Sequence, residues 1–178
     1  MLEKLLSLIP NKKTRDVATM ATGMLGLLSG QKVLSLGLFG RGAMALEKEW
    51  RERHPEVEGF DERWRRAIEF YDATHKDPVN RKLHIIGIPM IVGGTAGLLL
   101  FSPFRPMWLG AAGLFVAGWA LNFVGHGLFE KNAPAFADDP LSFIAGPVWD
   151  FQQLFRKGKN GAPEGKNGAR PHLSLIHI

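Results

Sequence analysis

The sequence contains no cysteine. Disulfide frameworks, thiol catalysis and thiolate-ligated zinc or iron–sulfur sites are therefore excluded for these 178 residues. Histidine is scarce as well, with six residues in the chain. No glycine-rich segment has the pattern of a phosphate-binding loop, since the glycines of the body lie within apolar stretches. Any metal site must therefore be built from a few imidazoles and carboxylates.

The formal net charge of the chain is +5, but the residues before 156 carry almost none of this excess. Residues 156–170 carry five basic side chains against one glutamate, a surplus of four, so the remainder is close to neutral. No surface pattern of basic residues interleaved with aromatic residues is present. We therefore expect no nucleic-acid partner.

Composition divides the chain into one domain and two terminal segments. The length and a hydrophobic share of 46% fit a single helical domain over residues 1–156. Segment 157–172 consists largely of Gly, Lys, Asn and Pro, contains GKNGA twice, and is predicted to be a disordered basic tail. Residues 173–178, LSLIHI, resemble a translated sequencing adapter, and we interpret them as a sequencing scar.

Two long runs without a formal charge lie in the middle of the chain. They cover 85–101 and 106–129, seventeen and twenty-four residues, and a short link with prolines joins them. A helix needs about 20 apolar residues to cross a bilayer, so the runs predict a transmembrane helical hairpin. The alternative is a buried hairpin in a soluble α-bundle, but such helices normally keep one polar face, and neither run has one.

Segments on either side of this hairpin are predicted to be helical. Residues 17–46 are apolar and glycine-rich but interrupted by charges such as Arg41, which favours a shallow hairpin over two full spans. Residues 60–74 have the spacing of an amphipathic helix with Phe60 and Tyr71 on one face. The predicted fold is all-α: a membrane helical bundle with a central transmembrane hairpin and amphipathic flanking helices.

The distribution of basic residues predicts an orientation. Most Lys and Arg lie in the two segments that flank the hairpin, whereas its link carries only Arg105. By the positive-inside rule, both flanks and both termini lie on the cytoplasmic side. The predicted protein is thus an integral, multi-pass membrane protein, located in the inner membrane if it is bacterial, with membrane lipid around it. The oligomeric state is left open by the sequence.

Polar side chains interrupt the apolar runs at a few positions. His75 ends the amphipathic helix, His84 opens the first run, and Asn122, His126 and Glu130 follow one another at intervals of four in the second. Intervals of four lie on one helix face. Because ionisable groups in membrane helices normally face a partner or a site, and both ends of a hairpin emerge on one side, we expect the three imidazoles to converge.

Three converging imidazoles indicate a metal site, for which zinc, iron, copper and nickel are all suitable. Glu130 could be a fourth ligand or the acceptor that orients His126, and Asn122 could hydrogen-bond a ligand or substrate. The alternative is structural, with His84 and His126 bonded to each other across the hairpin.

Further basic and polar residues flank the same region. Asn80 and Arg81, with the neighbouring lysine, could bind an anionic headgroup, and Lys131 could pair with a substrate carboxylate. His54 and His172 are assigned no role.

Three blocks of sequence resemble a known family. They are THKDPVNRKLHIIGIP at 74–89, NFVGHGLFEKNAPA at 122–135 and PLSFIAGPVWDF at 140–151. Together they are similar to the Mpo-like 2-hydroxy fatty acid dioxygenases over roughly 70–155. The resemblance implies a small multi-span membrane protein and an iron(II)-dependent reaction. In that reaction a long-chain 2-hydroxy fatty acid and dioxygen give CO₂ and the acid one carbon shorter.

The resemblance also assigns roles residue by residue. It implies that His75, His84 and His126 are the iron ligands, with Glu130 and Asn122 in supporting catalytic roles. The family's Asn and Lys are matched by Asn80 and Lys131. A longer central insertion found in eukaryotic relatives, with its extra polar residues, is absent, and segment 17–46 has no counterpart in the family. The substrate therefore stays open.

Two other function classes remain alternatives. A non-enzymatic membrane lipid-binding or scaffold protein would use its histidines only structurally. A zinc-dependent lipid hydrolase would use the same imidazoles for a different metal.

Overall fold

The computed structural model describes residues 6–132, 136 and 138–159, of which 153–159 are described by their backbone alone. Within these ranges the fold is all-helical and contains no strand, so the predicted all-α class is confirmed. The six helices are α1 (Lys12–Gly26), α2 (Lys32–Arg53), α3 (Gly59–Thr74), α4 (Pro78–Leu100), α5 (Pro106–Val124) and α6 (Ser142–Lys159). Their arrangement in a bilayer stays a prediction.

Helix α6 reaches into the segment that was predicted to be a disordered tail. Its last turn includes residues 157–159. The rest of that segment, 160–172, and the predicted scar at 173–178 lie outside the described residues.

The boundaries of the central hairpin come from local signals. The Asp77 side chain accepts hydrogen bonds from the amides of Val79 (2.7 Å) and Asn80 (3.0 Å), and Pro78 occupies the first turn. Helix α4 therefore starts seven residues before the apolar run does. Pro106 likewise opens α5. Both α4 and the continuous helix 106–130 have the length and apolar composition needed to cross a membrane.

Helices α4 and α5 approach each other at backbone distance. A Cβ atom on Gly87 would lie 2.9 Å from the carbonyl oxygen of Gly118, and one on Gly118 would lie 2.6 Å from that of Gly87. Gly94 repeats the contact two turns on, where a Cβ atom would lie 2.6 Å from the amide nitrogen of Phe115. Only glycine fits at these crossings, as expected for helices packed through small residues.

The segment 17–46 lies in a second hairpin, made by α1 and α2. Gly42 packs on α1, where a Cβ atom would lie 2.5 Å from the amide nitrogen of Met20. At the tip, the Lys32 ammonium group donates to the carbonyl oxygens of Leu99 and Phe101, both at 2.7 Å. The tips of the two hairpins therefore lie side by side. How deep 17–46 lies in a bilayer stays a prediction.

Helix α3 buries part of the face predicted for it. Ala67 and Tyr71 are buried, but Phe60 is 63% exposed, and Arg63 takes its place on the buried face. Arg63 is fully buried because two carboxylates and a ring surround it. Its guanidinium group pairs with Asp139 and Glu47, each at 2.7 Å, and lies 3.6 Å from the Trp50 ring centroid.

The adjacent glycines of α4 provide a matched test of the hairpin. We expect Gly94→Ala to destabilise the protein by about 1–3 kcal/mol, because the methyl group would overlap the α5 backbone. Gly93→Ala should be neutral or slightly stabilising, since its methyl group would meet only the Leu114 side chain at 3.5 Å. Thermal unfolding in detergent measures both; equal losses would contradict the packing described.

A second test concerns the buried arginine. Arg63→Met should cost about 3–5 kcal/mol, because the Asp139 carboxylate, 1% exposed, would be left without its partner. Arg65→Met is the control on the same helix, since Arg65 pairs with Glu62 and Glu69 at the surface and contributes little. A similar loss of unfolding free energy in both variants would rule out the special role of Arg63.

Candidate metal centre

Three imidazoles from separate elements meet in the core. His75 follows the last residue of α3, His84 lies in the second turn of α4, and His126 lies just beyond α5. All three are buried, with exposed fractions of 2%, 4% and 5%. The ring centroids are 4.8, 4.8 and 4.9 Å apart, and the ring planes cross at 76–86°. The convergence expected from the hairpin topology is therefore present.

One nitrogen of each ring is committed to a hydrogen bond that points away from the shared centre. The Nδ1 atoms of His75 and His84 lie 2.9 Å from the carbonyl oxygens of Tyr71 and Asn80, four residues earlier in each case. Because a carbonyl oxygen only accepts, Nδ1 carries the proton, and Nε2 keeps its lone pair.

The third imidazole is held by a side chain that sequence reasoning missed. His126 Nδ1 lies 2.8 Å from Asn132 Oδ1, and the Asn132 amide group donates to the carbonyl oxygen of Thr74 (2.9 Å). Asn132 thus ties His126 to the turn that carries His75. The asparagine in EKN could have suggested a partner, but nothing in the sequence places it beside His126.

The geometry of the triad fits a single metal ion. An ion about 2.1 Å from each nitrogen lies about 3.2 Å from each ring centroid, so ligands about 90–110° apart hold their centroids about 4.5–5.2 Å apart. The observed separations of 4.8–4.9 Å fall in this range. The candidate ligand atoms all lie within 4.8 Å of one another. The three buried histidines therefore form a group that could hold a metal ion.

The structural alternative for these histidines finds no support among the described hydrogen bonds. His84 and His126 make theirs to Asn80 and Asn132 and not to each other. In residues 6–132, 136 and 138–159 no hydrogen bond is described for the Nε2 atom of any of the three rings, and one candidate ligand nitrogen of each ring lies within 4.8 Å of the others. Such an arrangement is stabilised by a cation, because the lone pairs repel one another.

A change of helix type places His126. After Val124 the chain widens into one π-helical stretch, Gly125–Glu130, which ends at Lys131 in the left-handed region (φ 56°). Gly125 lies against the Asn80 amide group with no space for a Cβ atom. Such π-helical turns are frequent at functional sites.

Glu130 does not take either role predicted for it. Its carboxylate accepts hydrogen bonds from the amides of Lys76 (2.7 Å) and Asp77 (2.9 Å) and from the Asn80 side chain (3.0 Å). It is not part of the ligand group, and Asn132 is the acceptor at His126. Two backbone amides of the turn after α3 and one side chain of α4 bind the carboxylate, so Glu130 holds the turn that carries His75.

The two asparagines of the hairpin have different surroundings. Asn122 lines the cavity beside the triad, packs on Gly87, and its buried Oδ1 has no described hydrogen-bond partner. Asn80 is fully buried: its backbone carbonyl oxygen accepts from His84 and its side-chain amide group donates to Glu130, while its Oδ1, like that of Asn122, has no described partner. It does not line the cavity, so the structure places Asn80 as a support for the site.

Arg81 and Lys131, the two predicted substrate-binding cations, lie away from the triad. Arg81 pairs with Asp72 (3.1 Å) and Asp150 (3.0 Å). Lys131 is exposed, and neither residue lines the cavity. The structure does not bring these two cations to the candidate metal centre.

Tyr71 and Asp150 also support His75, and sequence reasoning did not predict this contact. The two rings stack at 3.9 Å, and the Tyr71 hydroxyl donates to Asp150 at 2.7 Å. Burial and the Asp150 carboxylate raise the pKa of Tyr71, so the phenol stays a donor. Burial, and then the neighbouring His84, lower the pKa of His75 to about 3. His75 is therefore neutral at physiological pH, as a metal ligand must be.

An apolar cavity of about 600 Å³ extends from the triad. Helix α4 lines it from His84 to Leu99, fifteen residues apart, which is about 22 Å at about 1.5 Å per residue. Side chains of α5, α6 and the α1–α2 hairpin complete the wall, including Met24, Leu27 and Phe115. The three imidazoles and Asn122 are polar groups at one end of an oily cavity.

Comparison with known proteins agrees with this arrangement. The family model described as 2-hydroxy-palmitic acid dioxygenase Mpo1-like matches residues 62–157. The 2-hydroxy-palmitic acid dioxygenase MPO1 of Saccharomyces cerevisiae is 46% identical over 48 residues, which cover 26% of this chain and 28% of the relative's length. No solved structure matches the chain.

The role of Asn132 is open to a direct test. We expect Asn132→Leu to weaken retention of a bound metal by about 10- to 100-fold, since His126 would lose the acceptor that fixes its tautomer. Asn132→Asp keeps an acceptor and should restore most of the retention. Metal content after chelator competition is the measurement, with Lys131→Gln as the exposed neighbouring control. Equal retention in Asn132→Leu and the control would contradict the positioning role.

Proposed function

The chain belongs to the 2-hydroxy-palmitic acid dioxygenase Mpo1-like family, whose model matches more than half of it, and from this premise we propose that it is an iron(II)-dependent dioxygenase of 2-hydroxy fatty acids. In the proposed reaction a 2-hydroxy fatty acid and dioxygen give CO₂, water and the acid one carbon shorter. Atoms and electrons balance without a further reductant. The observation that carries the proposal is the triad of buried, inward-facing imidazoles at the end of a long apolar cavity.

His75, His84 and His126 would hold the iron. Bound there, iron(II) supplies redox chemistry with dioxygen and Lewis acidity towards a hydroxy-carboxylate. The chain's own part is to keep the imidazoles aligned and away from bulk water. Tyr71, Asn80 and Asn132 do this by accepting the three Nδ1 protons, the first two through their backbone carbonyls.

Asn122 is the group best placed to position the substrate. Asn122 lines the cavity one helical turn before His126, and its buried Oδ1, which lies against Gly87, has no described hydrogen-bond partner. A buried acceptor without a donor costs free energy, so a ligand that donates a hydrogen bond is favoured there. The 2-hydroxyl group of the substrate is such a donor, and its bond to Asn122 would hold the carboxyl end at the triad.

The dimensions of the cavity suit a long acyl chain. An extended chain advances about 1.2 Å per bond, so the roughly 22 Å from His84 to Leu99 accommodates about 18 carbon atoms. The side wall is partly open as well. Leu36, Val92 and Ile144 line the cavity and are 49%, 62% and 54% exposed, which gives a chain in the surrounding lipid a route inward.

The same surfaces support a membrane location. We place α4 and α5 across the bilayer, with the termini on the cytoplasmic side and the triad near that face. The α1–α2 hairpin lies alongside, because its tip contacts the α4–α5 link through Lys32. Its outer residues Val33 and Met44 are 87% and 74% exposed, as expected for side chains in lipid. In this proposal the protein crosses the membrane more than once, and residues 1–156 form a single membrane domain.

The activity is tested on the full chain purified in detergent. We expect it to bind iron and to consume dioxygen with 2-hydroxypalmitate, releasing pentadecanoic acid and CO₂. His75→Ala and His126→Ala should each lose bound iron and turnover while remaining folded. His54→Ala is the matched control. Like His75, His54 ends a helix and stacks on the aromatic residue four positions earlier, here Trp50, and its Nδ1 atom is hydrogen-bonded to the backbone carbonyl oxygen of that residue.

Each contrary result points to a different function. Folded protein with neither iron nor oxygen uptake contradicts the dioxygenase. Misfolding of all histidine variants except His54→Ala favours a scaffold with structural histidines. Bound zinc together with cleavage of lipid esters identifies the hydrolase instead.

A further inference from the structure

The far end of the cavity is built by a part of the chain that the family model does not match. Met24 of α1, Leu27 directly after α1 and Phe39 of α2 line the cavity, and all three lie before the matched range 62–157. The triad, by contrast, lies wholly inside that range. The two ends of the cavity therefore come from different parts of the sequence: the triad end from the range that the family model matches, and the far end from the residues before it.

The α1–α2 hairpin is fixed firmly enough to act as a wall. Lys32 joins it to the carbonyl oxygens at the end of α4. Gly30 adopts φ 77° at its tip, where a Cβ atom would lie 2.8 Å from Pro103. Gly23 contacts the backbone of α2 at Phe39 with no space for a side chain. Contacts along its length and at its tip hold the hairpin at a set distance from the triad.

The residues at this end close the cavity with apolar side chains. Leu27 is 4% exposed and belongs to a core cluster with Leu98 and Phe115. Met24 and Leu99 pack against that cluster while still lining the cavity. On the α4 side, Leu99 is the lining residue farthest along the helix from His84.

We infer that the α1–α2 hairpin, through Met24 and Leu27, is the stop that sets the longest acyl chain the cavity accepts. The identification of the chain as that of a 2-hydroxy acid rests on the proposed function, whereas the stop itself is a statement about binding. A chain anchored at the triad reaches the wall after about 18 carbons, and each further methylene must displace a packed side chain.

The test measures binding of saturated fatty acids without turnover. Lauric, myristic, palmitic and stearic acids compete with a fluorescent fatty acid for the purified full chain, with no metal added. Each buried methylene contributes about fourfold in affinity. The larger side chain in Met24→Trp fills roughly the space of two methylene groups. The ratio of the affinity for stearic acid to that for myristic acid should therefore be about 15-fold lower in this variant than in the wild type. Leu25→Trp, on the neighbouring exposed position, should leave the profile unchanged.

Met24→Ala is the opposite variant and should raise the affinity for arachidic acid, two carbons longer than stearic acid, relative to stearic acid above the wild-type ratio. Iron content and thermal unfolding check that the triad and the fold are intact in each protein. An unshifted profile in folded Met24→Trp and Met24→Ala overturns the inference, as does an equal loss of affinity for all four acids.

The two proposals fail in different ways. If the Met24 variants shift the chain-length preference but the wild type takes up no oxygen, the dioxygenase proposal is refuted and the proposed stop at Met24 and Leu27 is retained. Oxygen uptake with 2-hydroxypalmitate and an unshifted binding profile refutes the stop and keeps the dioxygenase.

Discussion

Backbone contact between α4 and α5 is the constraint from which the rest of the site follows. Gly87 and Gly118 touch carbonyl to Cα, which leaves no freedom to slide one helix past the other without a clash. His84 lies one turn before Gly87, and His126 lies two turns beyond Gly118. Fixing the crossing therefore fixes the positions of both imidazoles relative to each other. The third, His75, is brought there by the short turn before α4, which Glu130 holds by its two amide bonds.

The sequence was sufficient for the parts that depend on chain order and hydrophobic pattern. Charge-free runs joined by a proline-containing link predict a hairpin, and a hairpin brings residues near its two open ends together. That reasoning anticipated the convergence of His75, His84 and His126. His54 and His75 have the same local setting, since both end a helix with nearly the same backbone angles and the same bond to a carbonyl oxygen four residues back, and in the sequence only the position of His75 beside the hairpin separates them. Only the tertiary fold gives one of them two neighbouring imidazoles.

The remaining parts depend on contacts between distant segments. Glu130 was expected at the metal site because intervals of four share a face, yet three donors from another segment bind its carboxylate. Arg63 replaces an aromatic residue on the buried face of α3, since partners from α2 and from the loop before α6 neutralise it. The same holds for Asn132, whose position depends on the π-helical stretch before it. Such pairings carry no periodic signal in the sequence.

The separation of the cavity's two ends has a consequence for how such proteins diversify. The triad and its hydrogen-bond partners belong to residues 71–132, whereas the opposite wall belongs to the first hairpin, joined at its tip through Lys32. Substitutions that accumulate in the first hairpin leave the imidazoles untouched. A change in the first hairpin can therefore reshape the far end of the cavity while the three imidazoles keep their places.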